Sequence, residues 1–179
     1  MKMSEMIEEL KKLPLSNVDL KKIDPDIKIT TMNELKNLHF ADELLHGSNK
    51  GVLLWLPHEH APRHGHWIGL LKTEPNTFEI FEPHGVDPME NLSEALGGTG
   101  GKKQVKQLKD IIRRNGYKMM RNKIPYQSLD DRNDQACGRC VLMRLAFNHL
   151  GLKEFHKKMR ELRDADMKHD TLAVLGTTV

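Results

Sequence analysis

Only two cysteines occur in 179 residues, and they lie three apart, at Cys137 and Cys140. A disulfide framework stapling distant segments is therefore excluded, and the purpose of the pair must be local. Long hydrophobic runs are missing too: nowhere do 18 apolar residues follow one another, which argues against a membrane-spanning helix. The opening MKMSEMIEELKK carries charges without the apolar stretch of a secretory signal. The expectation is a protein kept in the cytosol or a compartment continuous with it. Net charge is only +3, with 38% hydrophobic and 30% charged residues, a balance too apolar and too near neutrality for a disordered chain. A single domain over residues 1–179 is expected, without internal repeats.

What is present changes character along the chain. MSEMIEELKKL places Met3, Met6, Ile7 and Leu10 at helical spacing, with acids early and lysines late, and Pro14 ends that helix. Ser16 is a natural N-cap for SNVDLKKI, and TMNELKNL after Thr31 reads as another short helix. Residues 1–45 thus form a helical N-terminal extension. From Gly51 the texture is that of strands: GVLLWL, then Trp67 to Thr73 and Thr77 to Phe81 as an antiparallel hairpin around the turn residues EPN. NLSEAL reads as a short helix, LGGTGG as a flexible break, and KKQVKQLKDIIRRNG as a helix closed by Gly116. YKMMRNKIPYQ is an edge strand, ACGRCVLMRLAFNHLG the central buried helix, and LKEFHKKMRELRDA a final exposed helix. The pattern predicts an α+β fold, a small mostly antiparallel sheet packed on the helix that Cys137 opens.

Three chemistries compete for the unusual residues. Four of ten histidines cluster in HEHAPRHGH, as His58, His60, His64 and His66, and with Cys137 and Cys140 they would make a His2Cys2 zinc module, the non-enzyme reading. Against it, Cys140 starts an apolar helical run where a zinc knuckle would need a turn. CGRC at a helix start also suits dithiol redox chemistry, but that motif normally follows the first strand of an early βαβ unit. The third reading needs one thiol, one imidazole and a carboxylate behind it. His66 opens a strand and Glu82 closes its hairpin partner, and antiparallel pairing sets the start of one strand against the end of the next. Cys137 begins the buried helix, where the dipole and bare backbone N–H groups favour negative charge and can hold an oxyanion.

GHWIGLLKTEPNTFEIFEPHG and QACGRCVLMRL together resemble the adenovirus maturation protease, in which a His-Trp opens one strand, FEP-x-G ends the next, and an Ala-Cys-Gly-like triplet begins the central helix. The chain order His, acid, Gln, Cys is that of this group and the reverse of papain's. The SUMO-specific proteases of the same wider group generally carry Asp where Glu82 stands, so the glutamate points to the viral branch. The continuation from Cys137 to Arg144 is similar to homologues of virophages, polinton-like elements and large DNA viruses. The likeness runs from about Gly51 to Gly151.

The resemblance implies Cys137 as nucleophile, His66 as general base and then acid, Glu82 as the group orienting the imidazole, and Gln127 as oxyanion donor. Gln127 lies ten residues before Cys137, farther than usual in the group, so Gln135 is the competing donor. Trp67 is expected to pack over these residues. The implied activity is a viral cysteine endopeptidase cutting capsid or core precursor polypeptides at small, Gly-containing sites, in the virion, host cytoplasm or viral factory; the alternative enzyme is a deSUMOylase or deubiquitinase. ALGGTGG, Ala95 to Gly101, is a candidate self-processing site. No metal or cofactor is required by this reading. From Lys102 to Lys123 nine basic residues face one acid, Asp110, so Lys102, Lys103, Lys106, Lys109, Arg113 and Arg114 form a candidate surface for stimulating viral DNA, as in the adenovirus relative.

Overall fold

The computed structural model describes residues 3–46, 48, 50–55, 66–87, 98–127, 135–163, 173–174 and 176–177. Its centre is three antiparallel strands: β2 (Lys50–Trp55), β3 (His66–Glu74) and β4 (Thr77–Phe81). β2 and β3 pair from Lys50↔Leu71 to Trp55↔His66, and β3 and β4 from Glu74↔Thr77 to Gly69↔Phe81, with an irregularity between Lys72 and Glu74. The EPN hairpin is thus where its turn residues predict it. Two short strands flank this centre in parallel, β1 (Ile29–Thr31) on β2 and β5 (Lys118–Arg121) on β4, giving the order β1-β2-β3-β4-β5. The α+β expectation holds, with a sheet that is mixed at its edges.

Alternation along the strands builds a core on each face. Trp67, Leu71 and Phe81 point to one side, where they meet α5 (Cys137–Ala146) and α6 (Leu152–Leu162). Ile68, Leu70, Phe78 and Ile80 point to the other, against α4 (Gly98–Arg114) and the α3 turn (Ala41–Leu44). Val105, Leu108, Ile111 and Ile112 make the apolar stripe of α4. Every residue of α5 from Cys137 to Leu145 is buried, and Val141 sits where a Cβ on Gly69 would come within 3.5 Å. At about 1.5–3 kcal/mol for each large apolar side chain removed from water, this burial anchors α5 in the core.

One polar pair crosses this interior. Arg144 of α5 donates from Nε and Nη2 to the two carboxylate oxygens of Glu79 on β4, at 2.7 and 2.8 Å, and both side chains are fully buried. Nη1 and Nη2 also donate to the carbonyls of Phe147 and Leu150, and Cζ lies 4.8 Å from the centre of the Phe155 ring. Four of the five guanidinium hydrogens thus meet acceptors inside the protein.

The N-terminal residues are helical as expected at α1 (Met3–Lys11) and α2 (Asn17–Ile23), the latter opened by a capping box of Ser16 and Asp19. Three readings need correction. The segment after Thr31 forms only a 3-10 turn, Glu34–Asn37, and the extension also supplies β1, because Leu35 and Met32 are drawn into the second core. Gly98 to Gly101, read as part of a flexible break, are the first turn of α4. The last helix, α6, is half-buried, since Leu152, Phe155 and Met159 pack into the first core. The NLSEAL helix lies outside the described residues. No described helix is long and apolar enough to cross a membrane.

Candidate active site

The hairpin carries the first two residues to one end of the sheet. His66 is the first residue of β3 and Glu82 directly follows β4, so the antiparallel pairing brings both to the same end of the sheet, two positions out of direct register. His66 Nε2–H donates to Oε1 of Glu82 at 2.6 Å. The Cys137 side chain, at the start of α5, is near enough to this imidazole to be the foremost influence raising its pKa. With Nε2 facing the carboxylate, Nδ1 is the nitrogen left for the sulfur. The Cys137 thiol, the His66 imidazole and the Glu82 carboxylate are therefore neighbours, and all three residues are buried.

Burial by itself would push the His66 pKa down, but the hydrogen bonds to Cys137 and Glu82 outweigh it and raise the value to about 10. For Glu82, burial acts upward and is outweighed by hydrogen bonds from His66 and His84, which hold the carboxyl well below its usual range. Both shifts favour an imidazolium facing a carboxylate.

Glu82 is fixed from behind by two features that the sequence reading missed. Asn122, fully buried just after β5, accepts the Glu82 N–H on Oδ1 at 2.8 Å and donates from Nδ2 to the Glu82 carbonyl at 2.7 Å. Its side chain extends the β4–β5 pairing by one more step. The signal was positional: an asparagine ending an edge strand that runs parallel to β4. The second is His84, in the x position of FEP-x-G. Its Nδ1 lies 3.1 Å from Oε1 of Glu82, and its ring stacks on His66 at 5.0 Å with planes 12° apart. Gly85 closes this turn with φ 71°, its N–H bonding back to Glu82; a Cβ there would lie 2.8 Å from the backbone of Ile124 and Pro125.

Gln127 is buried on the same turn. Its N–H and that of Tyr126 both donate to the Pro83 carbonyl, and Cys140 Sγ lies 3.5 Å from the Tyr126 carbonyl, so the segment runs between the Glu82 turn and the first turns of α5. Gln135 is placed differently: its N–H donates to the Lys11 carbonyl at the end of α1. Trp67 packs beneath Cys137, where a Cβ on Gly138 would fall 3.1 Å from Cδ1 of the indole and 3.2 Å from Leu15 Cβ. The indole N–H donates to the Leu15 carbonyl at 2.9 Å. The glycine after the cysteine thus lets Trp67 and the N-terminal segment reach the start of α5.

The other candidates are dispersed. His58, His60 and His64 lie outside the described residues, and neither cysteine joins a cluster of metal-binding side chains among those described. Cys137 and Cys140 are both free thiols. On α4, Lys103, Lys106, Arg113 and Arg114 are exposed and Lys109 is partly buried, while the Lys102 side chain is outside the described set. Lys106 pairs with Asp110 at 2.9 Å. Lys109 and Arg113 share a cleft of about 250 Å³ with Arg121 and Asp87. The largest described cleft, about 650 Å³, lies between β5 and the start of α6 and includes none of Cys137, His66 or Glu82.

No protein-family model matches the chain. Among curated proteins it is 28% identical over 155 residues, 84% of its own length and 86% of the other's, to a virophage protein described as Uncharacterized protein V9 of Sputnik virophage. That similarity supports a viral origin for the chain.

Proposed function

We propose that this protein is a viral cysteine endopeptidase in which Cys137 attacks the scissile carbonyl, His66 takes and returns the proton, and Glu82 orients the imidazole and balances its charge. The observation that carries the reading is the His66–Glu82 hydrogen bond at 2.6 Å, with the Cys137 side chain close enough to the same imidazole to raise its pKa. The helix N-terminus at Cys137 supplies backbone N–H donors for the oxyanion, and Gln127, on the buried segment beside the Glu82 turn, supplies a second. The expected substrates are capsid or core precursor polypeptides cut at small, Gly-containing sites in the virion, host cytoplasm or viral factory, by virtue of the resemblance set out above.

Cleavage of a quenched fluorescent peptide panel containing Gly-Gly sites tests this, set beside ubiquitin-like fusions ending in Gly-Gly. Turnover of the peptides, absent in Cys137→Ala, supports the endopeptidase; turnover of the fusions alone would replace it by an isopeptidase. Gln127→Ala is expected to lower kcat about 10²–10³-fold with little change in KM, as loss of an oxyanion donor does, while Gln135→Ala leaves kcat within a few-fold. The reverse order would move the donor role to Gln135.

The basic face of α4 supports stimulation by DNA. Lys103, Lys106, Arg113 and Arg114 are exposed on a helix whose opposite side is buried. Duplex DNA is expected to raise the cleavage rate at low salt, with the gain vanishing steeply between about 50 and 200 mM salt. A salt-independent rate with or without DNA would remove this part of the proposal.

A further inference from the structure

We propose that His66, Glu82 and His84 form a binding site for Zn²⁺ or a transition-metal dication of the same class, and that occupancy of this site blocks the reactive imidazole reversibly. One ligand atom from each residue lies within 4.8 Å of the others. His66 Nε2 and His84 Nδ1 converge on the same oxygen of Glu82, at 2.6 and 3.1 Å. Zinc held at its ordinary distances of about 2.0–2.2 Å needs ligand atoms roughly 3.3 Å apart, so small side-chain movements convert the present hydrogen bonds into coordination.

Rigidity and position both fit this use. The backbone of Glu82 is clamped by Asn122, and the two imidazoles are held parallel by their stacking. Support of this kind behind the ligands strengthens metal sites. The side chains of His66 and His84 are 11% and 19% exposed, so the cluster lies at the margin of the interior. On binding, the protons that His66 Nε2 and His84 Nδ1 share with Glu82 are released to solvent, and the metal takes their place. Two imidazoles and one carboxylate leave a fourth position open. The donor set does not include sulfur, which separates this site from simple chelation by a cysteine and a histidine.

The regulatory half rests on the peptidase reading, and the binding half does not. The experiment therefore uses full-length Cys137→Ala, titrated calorimetrically with ZnCl₂ in a non-coordinating buffer, with the bound metal counted by mass spectrometry. One tight equivalent is expected. His84→Phe added to that background keeps a ring to stack on His66 and removes the ligand; affinity should fall at least about 10-fold with an unchanged far-UV spectrum. His84→Gln serves as a second variant, expected to weaken binding likewise. Because His58, His60 and His64 are intact throughout, undiminished affinity in both His84 variants would overturn the proposal, as would loss of zinc binding in Cys137→Ala itself. If wild-type protein cleaves peptide, Zn²⁺ should inhibit it and a chelator restore it, with inhibition weakened in His84→Phe. Inhibition equal in His84→Phe would overturn the regulatory half while leaving the peptidase intact.

Discussion

Cys137→Ala and His66→Ala are each expected to reduce peptide cleavage by at least about 10⁴-fold, and the double variant to be no worse than either alone. The reason is that both act in one step: a nucleophile without its base, or a base without its nucleophile, loses the same proton transfer. Glu82→Gln should cost less, about 10²-fold or more, because it leaves an acceptor for Nε2–H but removes the charge that balances the imidazolium. An equal loss in all three would mean that Glu82 does more than orient. The proton itself reports on the arrangement. His66 is raised to about 10 against the lowering effect of burial, by Cys137 and by Glu82. Removing Cys137 takes away one of the two raising partners, so the His66 pKa should move down toward 6.5 in Cys137→Ala, which imidazole NMR titration measures directly. An unmoved value would place the sulfur out of reach of the imidazole.

The second large effect concerns stability. Glu79→Ala or Arg144→Ala leaves one member of a fully buried ion pair without its partner, and each is expected to destabilise the fold by about 3–5 kcal/mol. For Arg144→Ala the loss also includes its stacking on Phe155 and its bonds to the two carbonyls that follow α5. Replacing both at once by apolar residues of similar size, Glu79→Leu with Arg144→Met, should recover most of the stability. Urea unfolding at constant m-value checks this. A single-variant loss below about 1 kcal/mol would show that the pair is solvated in solution. Since Arg144 lies two turns along the helix that Cys137 begins, these variants also separate a loss of activity through unfolding from a loss of chemistry.

The hairpin was legible because everything that specifies it is local: apolar strands, the EPN turn, and a histidine and glutamate at matched ends. Ser16 was legible for the same reason, its partner Asp19 being three residues away. What the sequence hid depends on distant pairing. β1 was missed, and β5, although expected as an edge strand, pairs in parallel with β4 across the intervening α4, so a sheet covered on both faces was not foreseen. Consequently the stripe Val105, Leu108, Ile111 and Ile112 was overlooked beside the lysines of α4. Glu79, between Phe78 and Ile80, looks like the polar side of a half-exposed strand; only the arrival of Arg144 from 65 residues away explains a carboxylate there. At the site, Cys137, His66, Glu82 and Gln127 could be named from motif and order, whereas His84 and Asn122 could not, because their importance arises entirely from what touches Glu82.

The central claim is that His66 makes the sulfur of Cys137 a nucleophile. Alkylation by iodoacetamide at neutral pH, located by peptide mass spectrometry, tests it most directly. The account predicts rapid modification of Cys137, little of Cys140 behind it in the same helix, and a steep drop at Cys137 in His66→Ala. Equal labelling of the two thiols, or labelling of Cys137 that is indifferent to His66, would contradict it.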